Sequence, residues 1–417
     1  MTILDILAAL LALSALFGVI NARLFRLPHT VGLVVLGLAA SAAVAGLDAT
    51  APGLSVGQAV HDVLKSIDFR TLLLDGFLSA LLFAGAVHVD LAQVAQRKWA
   101  VGVLATIGVV ISTALTGLGT FAAARVMGIE LPLPWAVVFG ALISPTDPVA
   151  VLALLRTVRV PPSLHAKLAA EALFNDGVGI VVFTIALAAA IGAAGHVASL
   201  AEVAQLFLLE AAGGAVLGLV TGVVAFMLMA RLNDHVIELM VTLALVAGTY
   251  ALAQHLAVSG PIAEVVAGLL IGNHGARHAM SRATRTRVFA FWELVDEVLN
   301  SVLFLLIGLE VLLIGGSTAG LGLGLAAIPI VLASRYLAVA IPIGVLSRWD
   351  NFSRGVVPIL TWAGLRGGIS VALALSLPDG PYKPAILTAA YAVVIFTVVV
   401  QGATMPALVR RYYPTAS

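Results

Sequence analysis

The chain contains no cysteine. Disulfides, thiolate metal centres and cysteine nucleophiles are therefore excluded from the start. Charge is almost as scarce. Lys, Arg, Asp and Glu make up 10% of the 417 residues, where soluble domains carry roughly 25%. A water-facing surface cannot be built from so few charges. The net charge is +1 and no basic domain exists, which removes nucleic acid from the candidate partners. No phosphate-binding glycine loop is evident, and no cofactor is expected.

What fills the chain is apolar. It is 61% hydrophobic with a mean hydropathy of +1.11, and apolar runs of about 18 residues or more recur from end to end. The expected fold class is an all-α polytopic membrane protein embedded in a lipid bilayer. Reading apolar runs against charged, glycine or proline breaks predicts thirteen spans. They lie at 3–21, 30–47, 71–90, 99–124, 134–155, 168–194, 202–230, 236–255, 260–273, 290–313, 320–346, 356–377 and 385–409. The first holds Asp5, no basic residue and no clear small-residue cleavage site, so it reads as a retained helix.

The basic residues test this count. Of the 22 Lys and Arg, Arg335 and Arg366 fall inside spans, Lys65, Arg70, Arg125 and Lys383 lie on one side, and the other sixteen lie on the opposite side. By the positive-inside rule the N-terminus is outside and the C-terminus cytoplasmic. A missed or invented span in mid-chain would scramble that alternation.

Ionisable groups in mid-membrane are costly and mark function by default. For Asp75, Glu210, Glu238 and Glu264 the plainer reading is an interfacial or structurally paired group. Glu293, Asp296 and Glu297, at the start of the tenth span, fit a solvated cytoplasmic mouth. Asp176 differs, because it lies about nine residues into the sixth span, near the bilayer's middle at ~1.5 Å per residue. It belongs to EALFNDGVGIVVF, residues 171–183, in which Glu171 and Asn175 stand one helical turn apart on a shared face.

The fifth span carries GALISPTDPVAVL, residues 140–152. Pro145 and Pro148 each remove an amide donor and disfavour helix in the preceding residue, so a break is predicted around Thr146 and Asp147. Unwound backbone in a membrane is tolerated only where it is buried in protein or lines a cavity. Asp147 then has two readings, a cation ligand or a counter-charge for the amide ends of half-helices. The twelfth span holds the matching anomaly, TWAGLRGGISVAL, where Gly364, Gly367 and Gly368 loosen a helix around Arg366. With the seventh span as connector, the two breaks fall in the fifth span of each half. The halves are then inverted six-helix repeats, about 3–194 and 236–409 around a connector at 202–230, within one membrane domain. Paired broken helices in inverted halves point to a secondary transporter's midplane site.

Glu171-xxx-Asn175-Asp176 and the Thr146-Asp147 break resemble the monovalent cation:proton antiporter-1 family of NhaP and NHE exchangers. So do FWELVDEVLNSVLFLLIGLE, residues 291–310, and GLRGGIS, residues 364–370. The resemblance covers most of the chain, with the motifs in the family's order. It implies a homodimer with a static dimerisation part and a mobile six-helix core, and Na⁺ or Li⁺ exchanged for H⁺ across the cytoplasmic membrane. It implies a Na⁺ site at Asp176, the Thr146 carbonyl and Asp90, supported by Asn175, with Glu171 paired to Arg335. Many relatives carry serine where this chain has Ala172, which leaves the ion shell to be completed by water or Asp90. The Asn-Asp pair implies electroneutral exchange. K⁺ exchange on the same fold is the nearest alternative. A cation channel would not couple its flux to protons. An intramembrane aspartyl protease would show a GxGD pattern, which is absent around Asp147 and Asp176, so the chain is not expected to be an enzyme.

Overall fold

The computed structural model describes residues 3–50, 76–95, 98–147, 162–192, 200–232, 234–311, 318–348, 352 and 355–413. Most of these residues are helical, and no strand occurs among them. A lipid-embedded chain has no water to satisfy its backbone, and helices satisfy it internally.

Helical segments occur at each of the thirteen expected positions. They are α1 (Ile3–Ile20), α2 (His29–Thr50), α3 (Leu78–Val87), α4 (Trp99–Val126), α5 (Leu133–Ile143), α6 (Pro162–Gly192), α7 (Leu200–Met229), α8 (His235–Leu256), α9 (Gly260–Leu270), α10 (Arg282–Glu310), α11 (Thr318–Leu346), α12a (Val356–Trp362) with α12b (Gly368–Leu375), and α13 (Lys383–Tyr412). Eight of these are long and apolar enough to cross a membrane as single helices. Among the others, α5 and α12 are shortened by breaks and α10 carries too much charge.

α10 is the instructive exception. It begins at Arg282, eight residues before the expected span, because its first turns are amphipathic and carry Arg282, Arg285, Arg287 and Glu293. Hydropathy misses such an extension, yet Ser281 starts the helix by accepting the Thr284 amide at 3.2 Å. α8 and α9 start the same way, with Asp234 accepting the Val236 amide at 2.8 Å and Ser259 accepting that of Ile262 at 3.4 Å.

Helix pairs in lipid gain little from hydrophobicity and depend on close packing of small residues. α2 meets α10 at Gly37, where an added Cβ would stand 3.0 Å from Gly308 Cα. α4 meets α5 at Gly117, where it would stand 2.9 Å from Val137 Cα. α4, α5, α6, α11, α12 and α13 pack on one another as one bundle, and α3, α7, α8, α9 and α10 pack together beside it. The seam between them is close. Ile262 of α9 packs on Gly177 of α6, and Leu303 of α10 fills the space above Gly368 of α12b.

Candidate functional site

Two chain breaks face each other within the first bundle. α5 ends at Ile143, the Ser144 amide closes its last turn on the Ala141 carbonyl at 3.3 Å, and residues 145–147 continue outside the helix. Ser144 itself keeps right-handed helical angles, φ −73° and ψ −35°, and the helix stops at Pro145, which has no amide to give. The Ser144 hydroxyl donates to the Gly140 carbonyl at 2.7 Å and accepts from Thr113 of α4 at 3.1 Å. Pro148 lies outside the described residues. The second break separates α12a from α12b and contains Gly364, Arg366 and Gly367. The Asp147 amide donates to the Leu365 carbonyl at 2.8 Å, so the two breaks are joined main chain to main chain.

Interrupted helices leave partial charges at their ends. Arg366 is fully buried, and its Nη1 donates to the Ser144 carbonyl and, at 2.9 Å, to the Pro145 carbonyl at the C-terminal end of α5. A cation is favoured there. Asp147 lies against the first residues of α12b, so close that a Cβ on Gly367 would collide with its carboxylate. An anion is favoured at that end. Arg335 of α11 serves a third end, donating from Nε and Nη2 to the Leu360 carbonyl of α12a at 3.3 and 3.2 Å. Gly364 makes room for it, since a Cβ there would stand 2.9 Å from Arg335 Nε.

α6 supplies the carboxylates. Glu171 and Arg335 form a two-pronged ion pair, Nη1 to Oε1 at 2.8 Å and Nη2 to Oε2 at 3.0 Å, with both side chains buried. Such parallel bonds are among the strong ones. One turn on, Asn175 ties α6 to the α5 break. Its Nδ2 donates to Thr146 Oγ1 at 2.7 Å and to Glu171 Oε1 at 3.3 Å, and its Oδ1 accepts the Thr146 amide at 2.9 Å. Asp176 is equally buried, but its Oδ1 has no hydrogen-bond partner.

Asp176 lines a cavity of about 40 Å³, enough for a small cation or a few waters. The first bundle contributes Pro145, Asp147, Gly367 and Ser370 to its wall, and the second contributes Leu82 of α3 and Asn300 of α10. The cavity therefore straddles the seam. Asp147 lies both in this wall and at the start of α12b, so its two sequence readings describe one position. Asp90 is exposed beyond α3, where its Oδ1 accepts the Ala92 amide at 2.9 Å, and it does not line the cavity. Asn300 and Ser370 do; both lie inside the motifs at 291–310 and 364–370, but neither stands out in sequence as a site residue. The Asn300 Nδ2 is spent on Asp296, at 2.8 Å to the carbonyl and 3.1 Å to the carboxylate. A carboxylate with one oxygen unspent beside such a space can take either a proton or a hard cation.

Two broken segments crossing beside a buried carboxylate, in an all-helical membrane chain, define a membrane transporter of the broken-helix class. A profile for the transmembrane part of sodium/hydrogen exchangers matches residues 10–411, and the chain belongs to that family. It is 45% identical to the Na⁺/H⁺ antiporter NhaP of Pseudomonas aeruginosa over 98% of this chain and 97% of that one. It is 33% identical to the Na⁺/H⁺ antiporter NhaH of Halobacillus dabanensis over 94% of this chain and 93% of that one. Among solved structures, the sodium proton antiporter MjNhaP1 of Methanocaldococcus jannaschii superposes with a TM-score of 0.75 at 20% identity, covering 99% of this chain and 98% of that one. That likeness establishes an NhaP-like fold.

Proposed function

We propose that the chain exchanges Na⁺ for H⁺ across the cytoplasmic membrane, with the two ions competing for Asp176. The observation that carries this reading is the unspent Asp176 oxygen beside a cavity at the seam of two bundles. Burial disfavours an uncompensated charge, so the carboxyl crosses the apolar barrier with either a proton or a cation and not empty. The first bundle carries the site and the second walls it, an arrangement suited to alternating access by movement of one against the other. Thr146 and Asp147 belong to the binding region, Asn175 holds the break in place, and Glu171 stays a fixed charge through Arg335. One exchangeable carboxylate makes the exchange electroneutral.

The division into inverted repeats is supported by reciprocal packing. α2 lies along α10 as α9 lies along α3, the pairing expected if residues 3–194 and 236–409 are related by inversion. The sixteen-to-four distribution of basic residues supports an external N-terminus. We propose further that the protein works as a homodimer, as the family resemblance implies.

The test is exchange in proteoliposomes with an internal pH dye, with Na⁺, Li⁺ and K⁺ added at several pH values. The expected result is proton movement driven by Na⁺ or Li⁺. Cation flux that leaves the internal pH untouched would point to a channel and refute the reading.

A further inference from the structure

Ser370 is the other polar group in the cavity wall whose hydrogen bonding is incomplete. It is 1% exposed, and its Oγ has no partner. Hydroxyls on helices often return to the carbonyl one turn back, as Thr184, Ser301, Thr388 and Thr404 do here. Ser14, Thr30, Ser112, Thr116 and Thr120 are buried and unpartnered like Ser370, but among these hydroxyls Ser370 alone lines the cavity. Ser370 stands in the first turn of α12b, so the carbonyl one turn back belongs to Arg366, inside the break. That carbonyl accepts from Thr397 Oγ1 at 3.4 Å, and the Gly367 backbone is extended, at φ −127° and ψ −152°. The break that builds the cavity has thus removed the local acceptors of Ser370. The hydroxyl belongs to a residue of the wall that also holds Asp147 and Asp176, the latter with its Oδ1 unspent.

We propose that Ser370 Oγ is a ligand of the transported cation and a determinant of how tightly it is held. Alkali cations are hard and take oxygen ligands, and this one stands on α12b while Asp176 stands on α6. A hydroxyl adds a dipole without a charge, so it strengthens cation binding and leaves the one-for-one charge count unchanged. It also supplies an oxygen that Asp90, outside the cavity, does not. The proposal rests on reading this cavity as the transport site.

The experiment compares Ser370→Ala and Ser370→Cys with the wild type in the proteoliposome assay at fixed pH. In parallel it measures how far added Na⁺ raises the melting temperature in detergent. Loss of one polar ligand raises the apparent KM for Na⁺ about tenfold, with the maximal rate within about twofold, and weakens Na⁺-dependent stabilisation correspondingly. Cysteine preserves the size of the side chain, but its soft sulfur suits Na⁺ poorly. It gives the same result, and it decides the matter if the alanine variant fails to assemble. A purely structural serine predicts the opposite pattern. Removing an unpaired buried hydroxyl then leaves melting equal or higher and the Na⁺ dependence untouched, and that outcome overturns the proposal. If the wild type itself exchanges no cation, the transport reading falls, which is a distinguishable failure.

Discussion

Glu171 and Asp176 stand five residues apart on one helix, both fully buried, and their surroundings treat them in opposite ways. At the Glu171 end, both carboxylate oxygens are engaged by Arg335, which also serves the Leu360 carbonyl. At the Asp176 end, Oδ1 has no partner and a cavity lies beside it. Glu264 of α9 sharpens the contrast. It is buried and neither oxygen has a hydrogen-bond partner, although the Tyr250 backbone lies near. It does not line the Asp176 cavity. Burial and an unspent oxygen therefore also occur together away from the cavity. Space for an ion, walled by two bodies, is the added ingredient at Asp176.

The largest effect tests that ingredient directly. Asp176→Asn keeps the shape and removes the exchangeable charge, so cation-driven proton movement in proteoliposomes should vanish while the protein still melts cooperatively. Appreciable dye response in this variant would break the contrast at its centre. Next comes Glu171→Gln, which strands Arg335 without its partner. Breaking a buried pair costs about 3–5 kcal/mol, so unfolding in detergent should shift down far more than in Asp176→Asn. Equal melting of the two variants would mean that the ion pair is not what distinguishes the two ends of α6.

A subtler expectation concerns charge. With Glu171 fixed and Asn175 neutral, one cation leaves for each proton that enters. An imposed membrane potential should then leave the Na⁺/H⁺ exchange rate unchanged, once any K⁺ transport is controlled for. A rate that follows the potential would implicate a second titrating group, with Asp147 or Glu171 the first suspects. The smallest effect is predicted at Glu264. Glu264→Gln should leave exchange intact and change stability by about 1 kcal/mol or less. Loss of exchange there would show that α9 carries transport chemistry of its own.

Most of this architecture was legible in the sequence because the bilayer simplifies the problem. Apolar length marks a crossing, and prolines 145 and 148 or the glycines around Arg366 mark an interruption. The start of α10 was not legible, because an amphipathic stretch bearing three arginines has no signature in average hydropathy. Within the site, Glu171, Asn175 and Asp176 stand out as polar residues in an apolar run. Ser370 and Asn300 do not, since a lone serine or asparagine in a membrane helix is unremarkable until chain-distant neighbours enclose it. Asp90 shows the converse. The family resemblance implies a ligand there, whereas the chain places Asp90 at an exposed position beyond α3 and outside the cavity wall.

The joined breaks carry a consequence for anyone dividing or recombining the chain. Arg366, from the second half, neutralises the end of α5. Asp147, from the first half, answers the start of α12b, and a main-chain hydrogen bond locks the two together. A fragment ending in α7 would leave the α5 terminus and Asp147 without their counterparts, and the complementary fragment would bury Arg366 against nothing. Neither fragment is expected to be self-sufficient, since each holds the counterpart that the other requires. Co-expressed halves should therefore find each other, and second-site suppressors of lesions at Asp147 should map to the opposite half, around Gly367 and Arg366.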